Sequence, residues 1–396
     1  MLWQPPKNPF LKSKSLTFNV GGEMSDQVSV NALAAISEAG VAIWLDDLSR
    51  DRLETGSLAE LIASSYVVGV TTNPSIFSAA IAGSTRYQAD ITHLANEGKT
   101  INQIATQLTT DDVRAAADLF LPTYNKTGGK DGRVSIEVDP DLAYDTDATV
   151  LRGKYLWSVV DRPNILIKVP ATIDGLPAIE ELTAQGVSVN VTLIFAVDRY
   201  RMVMDSYLRG LERRVANNLA INSIHSVASF FVSRIDAEVD KLLDAAQPES
   251  SLRGQAAIAN AHLAYEAFLE LTSSSRWHKL AKAGANLQRP LWASTGVKDK
   301  AYDPTRYVVE LVAANTVNTM PEGTMNEVRT HGISRGDTIA GHFESARQVF
   351  RDLATTGIDF SAVVRHLEDD GVAKFAKAWQ ELLTNLKSAA TVGKAS

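Results

Sequence analysis

The feature that most constrains the fold is a regular alternation of short apolar runs with longer segments of helical period. Short apolar runs bounded by turn residues predict buried strands, and apolar residues three and four apart predict amphipathic helices. The predicted strands are 41–46, 67–71, 133–138, 165–169, 187–193, 225–232, 291–294 and 316–320. Eight strands with a helix after each predict an α/β fold of the (β/α)8 barrel type rather than an open doubly wound sheet.

The remaining segments predict additions to the barrel. Residues 252–284 are expected to form a helical insertion between the sixth and seventh strands. From about residue 337 onward the chain is predicted to be a helical segment with breaks at Gly357 and Gly371. Residues 1–23, rich in Lys, Pro and Asn, are predicted to be a flexible extension. A single barrel domain is therefore expected over residues 24–396, and Met24 is a candidate start of translation.

The fourth predicted strand contains a lysine where a purely apolar residue is expected. Lys168 lies in the run 165–170, which has proline at its end and shortly before its start. An ammonium group in a buried strand is costly to desolvate, so the protein must pair its charge or keep the amine neutral. A neutral lysine is a nucleophile for carbonyl carbon, as in Schiff-base enzymes. The alternative is that Lys168 lies at the strand mouth and extends into solvent.

Other candidate functional residues lie at the predicted carboxyl ends of strands, where barrels of this type hold their active sites. They are Asp46, Asn73, Glu137, Asn190, Thr192, Ser229, Phe231, Arg234 and Ser294. Residues two apart on a strand share a face. Asn190 and Thr192 are therefore expected on one inward face.

Each candidate also has an ordinary structural explanation. Asp46 and Asn73 could cap helices. Glu137 could be a solvated loop residue, and Arg234 could be an exposed helical charge. Taken together, however, the set predicts one chemistry, in which an amine adds to a ketose carbonyl, water is lost, and the iminium accepts electrons while a carbon–carbon bond breaks. Two carboxylic acids in different environments are suited to the proton transfers that this needs.

Composition excludes several classes of function. The 396 residues include no cysteine, so disulfides, thiolate metal sites and cysteine nucleophiles are excluded. The seven histidines are scattered, and no metal site of the usual spacing is expected. The net charge of −7 argues against nucleic acid or an anionic membrane as partner. No run is apolar enough to cross a membrane, and a cytoplasmic protein is expected.

Six motifs resemble those of the transaldolase family, within the class I Schiff-base aldolase superfamily. They are WLDD (44–47), GVTTNPS (69–75), SIEV (135–138), ILIKVP (165–170), NVTLIF (190–195) and SFFVSR (229–234). The resemblance runs from about Gly40 to the carboxyl terminus, with the motifs in order, and is greatest to the longer bacterial branch of the family.

The resemblance implies a role for each matching residue. Lys168 would form the Schiff base, and Asp46, with Asp47 as its rival, would be the acid–base for cleaving and re-forming the carbon–carbon bond. Glu137 would relay protons through a water held by Thr192. Substrate binding is implied for Asn73, Asn190, Ser229, Phe231, Arg234, Ser294 and Lys298.

The phosphate site departs from the family pattern. Many transaldolases follow the seventh strand with Ser-Phe-Arg, whose arginine binds phosphate, whereas here Ser294 is followed by Thr295 and Gly296. Lys298 is expected to supply the charge instead, as a point charge rather than a bidentate fork. Arg234 is the other expected phosphate ligand.

Two rivals remain after the resemblance is stated. The first is an aldolase of the same superfamily, which would release its ketone; Phe231 favours transfer because phenylalanine has no proton to give to the bound carbanion. The second is a non-catalytic sugar-phosphate-binding barrel, which would be expected to lack Lys168, Asp46 or Glu137.

The activity implied by the resemblance is a reaction of the pentose phosphate pathway. A dihydroxyacetone unit would pass from sedoheptulose 7-phosphate to glyceraldehyde 3-phosphate. The expected partners are sugar phosphates, with neither nucleic acid nor membrane, and a homodimer is left open. No cofactor is expected, because the lysine is itself the electron sink.

Overall fold

In the computed structural model, which describes residues 31–246 and 250–392, the apolar runs form parallel strands. They are β1 (Val41–Leu45), β2 (Val67–Val70), β3 (Arg133–Glu137), β4 (Ile165–Pro170), β5 (Val189–Ile194), β6 (Ser226–Phe231), β7 (Gln288–Ala293) and β8 (Thr316–Met320). Each strand pairs with the next, and β1 pairs with β8 from Val41↔Thr316 to Leu45↔Met320. The sheet is therefore a closed (β/α)8 barrel, as the sequence predicts.

Sixteen α-helices lie in the described residues. They are α1 (Ala32–Glu38), α2 (Arg50–Glu54), α3 (Ser57–Ser64), α4 (Pro74–Ala82), α5 (Gln88–Asn96), α6 (Ile101–Lys126), α7 (Thr146–Val160), α8 (Gly175–Ala184), α9 (Val197–Ala216), α10 (Ser233–Ala246), α11 (Ala256–Thr272), α12 (Ser275–Lys282), α13 (Arg306–Val309), α14 (Glu322–His331), α15 (Phe343–Thr355) and α16 (Phe360–Val392). Within 31–246 and 250–392, no helix has both the length and the apolar composition that a membrane span requires.

All eight predicted strands are confirmed, and each observed end lies within three residues of its predicted position. The predicted helical insertion is confirmed as α11 and α12, and the helical carboxyl-terminal segment as α15 and α16. The predicted extension, residues 1–23, lies outside the described residues, so the domain boundary stays a prediction.

Two helix boundaries differ from the sequence-based prediction. In the sequence, Asp303 before Pro304 predicts a cap residue followed by proline at the first helical position. The helix instead begins at Arg306, with Thr305 as its N-cap residue, and Asp303 accepts a hydrogen bond from the Thr305 amide at 2.7 Å. Gly371 does not break a helix but lies inside α16. A Cβ atom at Gly371 would lie 3.0 Å from Leu193 Cδ2, so glycine lets α16 pack closely on β5.

The barrel interior is filled by side chains from alternate strand positions. Gly69 of β2 makes room for the indole of Trp44 on β1, because an added Cβ atom would lie 2.5 Å from that ring. Trp44 is fully buried. Two residues further along each strand, Asp46 and Thr71 reach the carboxyl end of the barrel. This packing therefore sets the positions along the barrel axis at which the side chains of Asp46 and Thr71 meet.

Helix α16 packs on α4, α5, α6 and α10 and contacts β5. Its apolar residues Leu382 and Leu386 are fully buried, and Phe375 is 4% exposed. An amphipathic helix of this length is stabilised mainly by such tertiary packing. The contacts place α16 beside the carboxyl end of the barrel, where it contributes to the cavity described next.

Candidate active site

A cavity of about 180 Å³ lies at the carboxyl ends of the strands, where barrel enzymes hold their active sites. Nine of the eleven residues predicted to form the site line it, namely Asp46, Asn73, Lys168, Thr192, Ser229, Phe231, Arg234, Ser294 and Lys298. The other two, Glu137 and Asn190, lie immediately behind this lining. Residues from five strand ends and from the loop after β7 therefore converge as the sequence predicts.

Lys168 is buried at the base of the cavity. It is 4% exposed, so it does not extend into solvent. Its ammonium group donates a hydrogen bond to the carbonyl oxygen of Thr72 at 3.1 Å and lies 3.2 Å from Glu137 Oε2. The ring of Phe375 covers it, with the centroid 5.5 Å from Nζ. A buried lysine beside a carboxylate is placed to react with a carbonyl group that enters the cavity.

Glu137 lies at the end of β3, beside Lys168 in the sheet register. Its side chain is 3% exposed, so it is not a solvated loop residue. Burial raises the pKa of Glu137 to about 7, although the nearby charge of Lys168 acts in the opposite direction. A carboxyl group with this pKa can both accept and donate a proton at neutral pH.

Thr192 lies on β5, on the other side of Lys168 from Glu137. Its hydroxyl group and both carboxylate oxygens of Glu137 are buried and have no well-aligned hydrogen-bond partner among the described residues. Buried polar atoms are normally satisfied, and exceptions gathered at one place indicate a site for a polar ligand or a water molecule.

Asp46 follows β1 and is bonded through a chain of hydroxyl groups. Thr71 Oγ1 donates to Asp46 Oδ1 at 2.6 Å and lies 2.6 Å from Thr319 Oγ1. Burial raises the pKa of Asp46, while Lys168 and the hydrogen bond from Thr71 oppose the increase. Asp46 does not cap a helix, because Ser49 is the N-cap residue of α2.

Asp47, the rival of Asp46, has a different environment. Its Oδ2 atom lies 2.7 Å from Arg52, which also bonds to Glu322. The side chain of Asp47 is 36% exposed. Of the two neighbouring aspartates, Asp46 is therefore the one that faces the cavity.

Arg234, in the first turn of α10, is partly buried rather than an exposed helical charge. Its guanidinium group lies over the ring of Phe231, with the centroid 5.2 Å from Cζ. Burial lowers the pKa of Arg234, while the charges of Asp370 and Asp46 act in the opposite direction. The Nη1 atom is buried and has no protein partner within the described ranges, so it is available to an anionic group.

The loop after β7 brings Ser294 and Lys298 to the same side of the cavity as Arg234. Ser294 has a φ of 55°, in the left-handed region, and its hydroxyl lies 3.1 Å from that of Ser233. The Ser233 amide donates to the Ser294 carbonyl at 3.0 Å. These contacts join the loop after β7 to the start of α10.

Asn73 combines the two explanations that the sequence leaves open. Its Oδ1 atom accepts a hydrogen bond from the Ile76 amide at 3.0 Å and so caps α4. The residue also lines the cavity. Since the cap uses the oxygen, the amide nitrogen can still donate to a bound hydroxyl group.

Asn190 lies below the cavity and is fully buried. Its Nδ2 atom donates to Ser135 Oγ at 2.9 Å, and its Oδ1 atom accepts from Ser229 Oγ at 2.7 Å. The structure thus shows Asn190 positioning Ser229, which does line the cavity. Direct contact of Asn190 with a substrate stays a prediction.

Several cavity residues were not predicted from the sequence. Thr71 stands within the GVTTNPS motif and could have been found by its parity with Gly69 on β2. Thr319 likewise shares its parity with Val317 on β8. Phe375 gives no such signal, because it belongs to an ordinary amphipathic pattern in α16. Among the described residues, no group of three or more His, Asp or Glu side chains is arranged to hold a metal ion.

Comparison with known proteins agrees with this geometry. A family model described as Transaldolase/Fructose-6-phosphate aldolase matches residues 43–386. The chain is 56% identical over 357 residues to "Transaldolase 1" of Streptomyces avermitilis, covering 90% of this chain and 94% of that protein. It is 57% identical over 353 residues to "Transaldolase" of Mycolicibacterium smegmatis, covering 89% and 95%. It is 54% identical to "Transaldolase" of Thermobifida fusca, covering 89% and 96%.

Proposed function

The chain belongs to the transaldolase/fructose-6-phosphate aldolase family, and we propose that Lys168 is the nucleophile of its reaction. Its function is that of a transaldolase of the pentose phosphate pathway. A dihydroxyacetone unit passes from sedoheptulose 7-phosphate to glyceraldehyde 3-phosphate, which gives erythrose 4-phosphate and fructose 6-phosphate. The observation that carries the residue assignment is the buried amine of Lys168, 3.2 Å from the Glu137 carboxylate and open to the cavity.

In the first step, the Lys168 amine adds to C2 of the ketose. The carbonyl oxygen takes up two protons, one from the adding amine and one from a proton donor, and leaves as water, so that a protonated Schiff base remains. Glu137 is the proposed proton relay, because it is adjacent to Lys168 and its pKa is about 7. Thr192 is proposed to hold the water through which the proton passes, which would satisfy its buried hydroxyl group.

In the second step, Asp46 takes the proton from the C4 hydroxyl group. The C3–C4 bond breaks, its electron pair moves into the Schiff base, and erythrose 4-phosphate leaves. The three-carbon enamine then attacks the aldehyde carbon of glyceraldehyde 3-phosphate, and Asp46 returns its proton to the new hydroxyl group. Water hydrolyses the new Schiff base and releases fructose 6-phosphate.

Substrate binding is proposed for the residues around these reacting groups. Arg234, with Lys298 and Ser294, is placed to bind the phosphate group, because its buried Nη1 atom has no protein partner in the described part of the chain. Asn73 and Ser229 would donate to sugar hydroxyl groups, and Asn190 would act through Ser229.

Phe231 favours transfer over release of the three-carbon unit. Its ring packs against Phe195, with centroids 5.2 Å apart, and it is 6% exposed. A hydrocarbon ring beside the enamine can neither protonate it nor position water for its hydrolysis. We also place the protein in the cytoplasm, on the basis of its sugar-phosphate substrates. A homodimer stays a prediction that light scattering can test.

Borohydride trapping tests the central assignment. Incubation with fructose 6-phosphate and borohydride should leave a reduced three-carbon adduct on the peptide that contains Lys168. Lys168→Ala should abolish both adduct and turnover, whereas Lys377→Ala, at a side chain that is 78% exposed, should change neither. An adduct on another lysine, or turnover by folded Lys168→Ala protein, would refute the proposal.

A further inference from the structure

A second cavity lies at the opposite end of the barrel, where the strands begin. Its volume is about 310 Å³, and it is lined by residues near the starts of β3, β4, β6 and β7 together with neighbouring loops. Arg133 starts β3, and Glu137 of the active site ends the same strand. The rise of a strand places their Cα atoms about 13 Å apart. The two cavities are therefore distinct sites.

Two buried arginines line this second cavity. Arg133 is 1% exposed and Arg289 is 5% exposed, and both line it. Arg133 Nε donates to the Gly129 carbonyl at 2.8 Å, and Nη1 donates to the Pro163 carbonyl at 3.2 Å. Carbonyl oxygens satisfy these donors, and the charge of Asp131 acts on Arg133 without a direct ion pair among the described residues. A buried charge of this kind is costly unless an anion compensates it.

One carboxylate is bonded to the cluster. Arg289 Nη2 donates to Asp131 Oδ1 and to the Lys130 carbonyl, both at 2.8 Å. The Lys130 side chain adds a third cation at the rim, where its ammonium group lies 3.3 Å from Asn315 Oδ1. Three cations and one carboxylate leave two positive charges around the cavity.

The pKa values of two lining residues agree with this net positive charge. Burial lowers the pKa of Arg133 to about 10, so its guanidinium group remains charged at neutral pH. Burial and the two guanidinium groups lower the pKa of His225 to about 3, so its imidazole is neutral. A neutral imidazole that lines the cavity can donate one hydrogen bond without changing the net charge.

We propose that this second cavity binds a phosphate dianion, either inorganic phosphate or the phosphate group of a phosphomonoester. Two guanidinium groups and one ammonium group supply the planar and point donors that bind phosphate. A dianion also neutralises the two excess charges, which a single carboxylate would not. Binding here requires neither Lys168 nor the proposed transaldolase mechanism, so the two proposals can fail separately.

Calorimetric titration with inorganic phosphate at fixed ionic strength tests this site. The background is the Lys298→Gln chain, which weakens phosphate binding at the active-site cavity. In that background, Arg289→Gln should weaken the remaining phosphate binding about tenfold or more, because it removes a charge-assisted donor. Lys130→Gln should weaken it by a smaller factor and keeps the buried arginines intact.

The outcomes separate the alternatives. Crystals soaked in tungstate, a heavy phosphate analogue, should show an anomalous peak between Arg133 and Arg289. Phosphate binding that is unchanged in both Arg289→Gln and Lys130→Gln, or tungstate bound solely beside Arg234, would overturn the proposal. The guanidinium groups would then serve to close the lower end of the barrel. Because Lys130 is exposed, Lys130→Gln still gives a result if Arg289→Gln does not fold.

Discussion

Two buried carboxyl groups flank one lysine, and their surroundings differ. Asp46 accepts a hydrogen bond from Thr71, which stabilises its carboxylate form, whereas Glu137 receives no comparable bond from the described hydroxyl groups. Burial raises the pKa of both. Such a difference in environment supports the different proton transfers proposed for the two groups. The surroundings of single residues therefore support a division between Schiff-base formation and carbon–carbon bond cleavage.

Replacement of Asp46 by asparagine should block bond cleavage but not Schiff-base formation. We expect turnover to fall by about 10²–10⁴-fold, because the general base is lost. Borohydride should then trap an intact six-carbon adduct of fructose 6-phosphate on Lys168, instead of the three-carbon adduct. Mass mapping of the Lys168 peptide distinguishes the two. Asp47→Asn is the matched control and should keep wild-type turnover, because Asp47 bonds to Arg52 at the surface; the reverse pattern would assign the base to Asp47.

The raised pKa of Glu137 predicts a pH dependence with a definite sign. Below a pH of about 7, Glu137 is protonated and can supply the proton for loss of water. As the pH rises through 7, that acid is lost, so the rate of Schiff-base formation should fall. Glu137→Gln should lower this rate by about 10²–10⁴-fold. It should also remove the limb of the pH profile near pH 7, which is the decrease in kcat/KM as the pH rises. The measurement is kcat/KM against pH.

A matched control for Glu137 is available in Glu368. Burial raises the pKa of this glutamate too, but it pairs with Arg199 at 3.0 Å. Glu368→Gln should keep the limb near pH 7. A limb that survives in Glu137→Gln would assign the titration to another group.

The site residues that the sequence predicts are those whose chemistry conflicts with their setting. Lys168 stands out because a charge in an apolar strand needs an explanation, and Glu137 and Thr192 follow from their positions at strand ends. Phe375 could not be predicted in this way. It lies more than 200 residues from Lys168, and an apolar residue in an amphipathic helix gives no indication of which buried group it covers.

At the scale of elements, periodicity predicts the strands well because each buried strand is a short apolar run between turn residues. Helix ends are predicted less well, since they depend on tertiary contacts. Gly371 is an example, because a glycine in a helical pattern normally indicates a break, yet here it permits contact of α16 with Leu193 on β5. The choice between the two explanations needs the position of the neighbouring strand, which local sequence does not contain.

Asn73 links an element boundary to the active site, and two substitutions separate its roles. Asn73→Ala should destabilise the protein by about 1 kcal/mol, because α4 loses its cap. Asn73→Asp should retain the cap, since a carboxylate oxygen can accept from the Ile76 amide, but it removes the amide donor. Both variants should raise KM for the ketose. Thermal unfolding and steady-state kinetics measure the two effects, and a wild-type KM in Asn73→Asp would make Asn73 a helix cap alone.

At the scale of the whole molecule, closure of the barrel brings together residues that are far apart in sequence. The pairing of β1 with β8 places Thr71 beside Thr319, 248 positions away, and completes the hydroxyl chain to Asp46. Closure also removes the free strand edges at which an open sheet could pair with another chain. The same ring of strands separates the cavity around Lys168 from the arginine-lined cavity at the other end, so one scaffold presents two independent polar sites.

The extent of the folded domain gives the last prediction. We propose that residues 24–396 form the barrel domain, because residues 1–23 are rich in Lys, Pro and Asn, as is typical of a loose extension. A chain shortened to begin at Met24 should therefore keep both the Tm and the kcat/KM of the full chain. A chain that begins after residue 38 is the contrasting case, because it lacks α1, whose Leu33 and Ile36 are fully buried. Loss of these two side chains should destabilise the barrel by about 3–6 kcal/mol. If the Met24 chain lost as much stability, the first residues would belong to the folded domain.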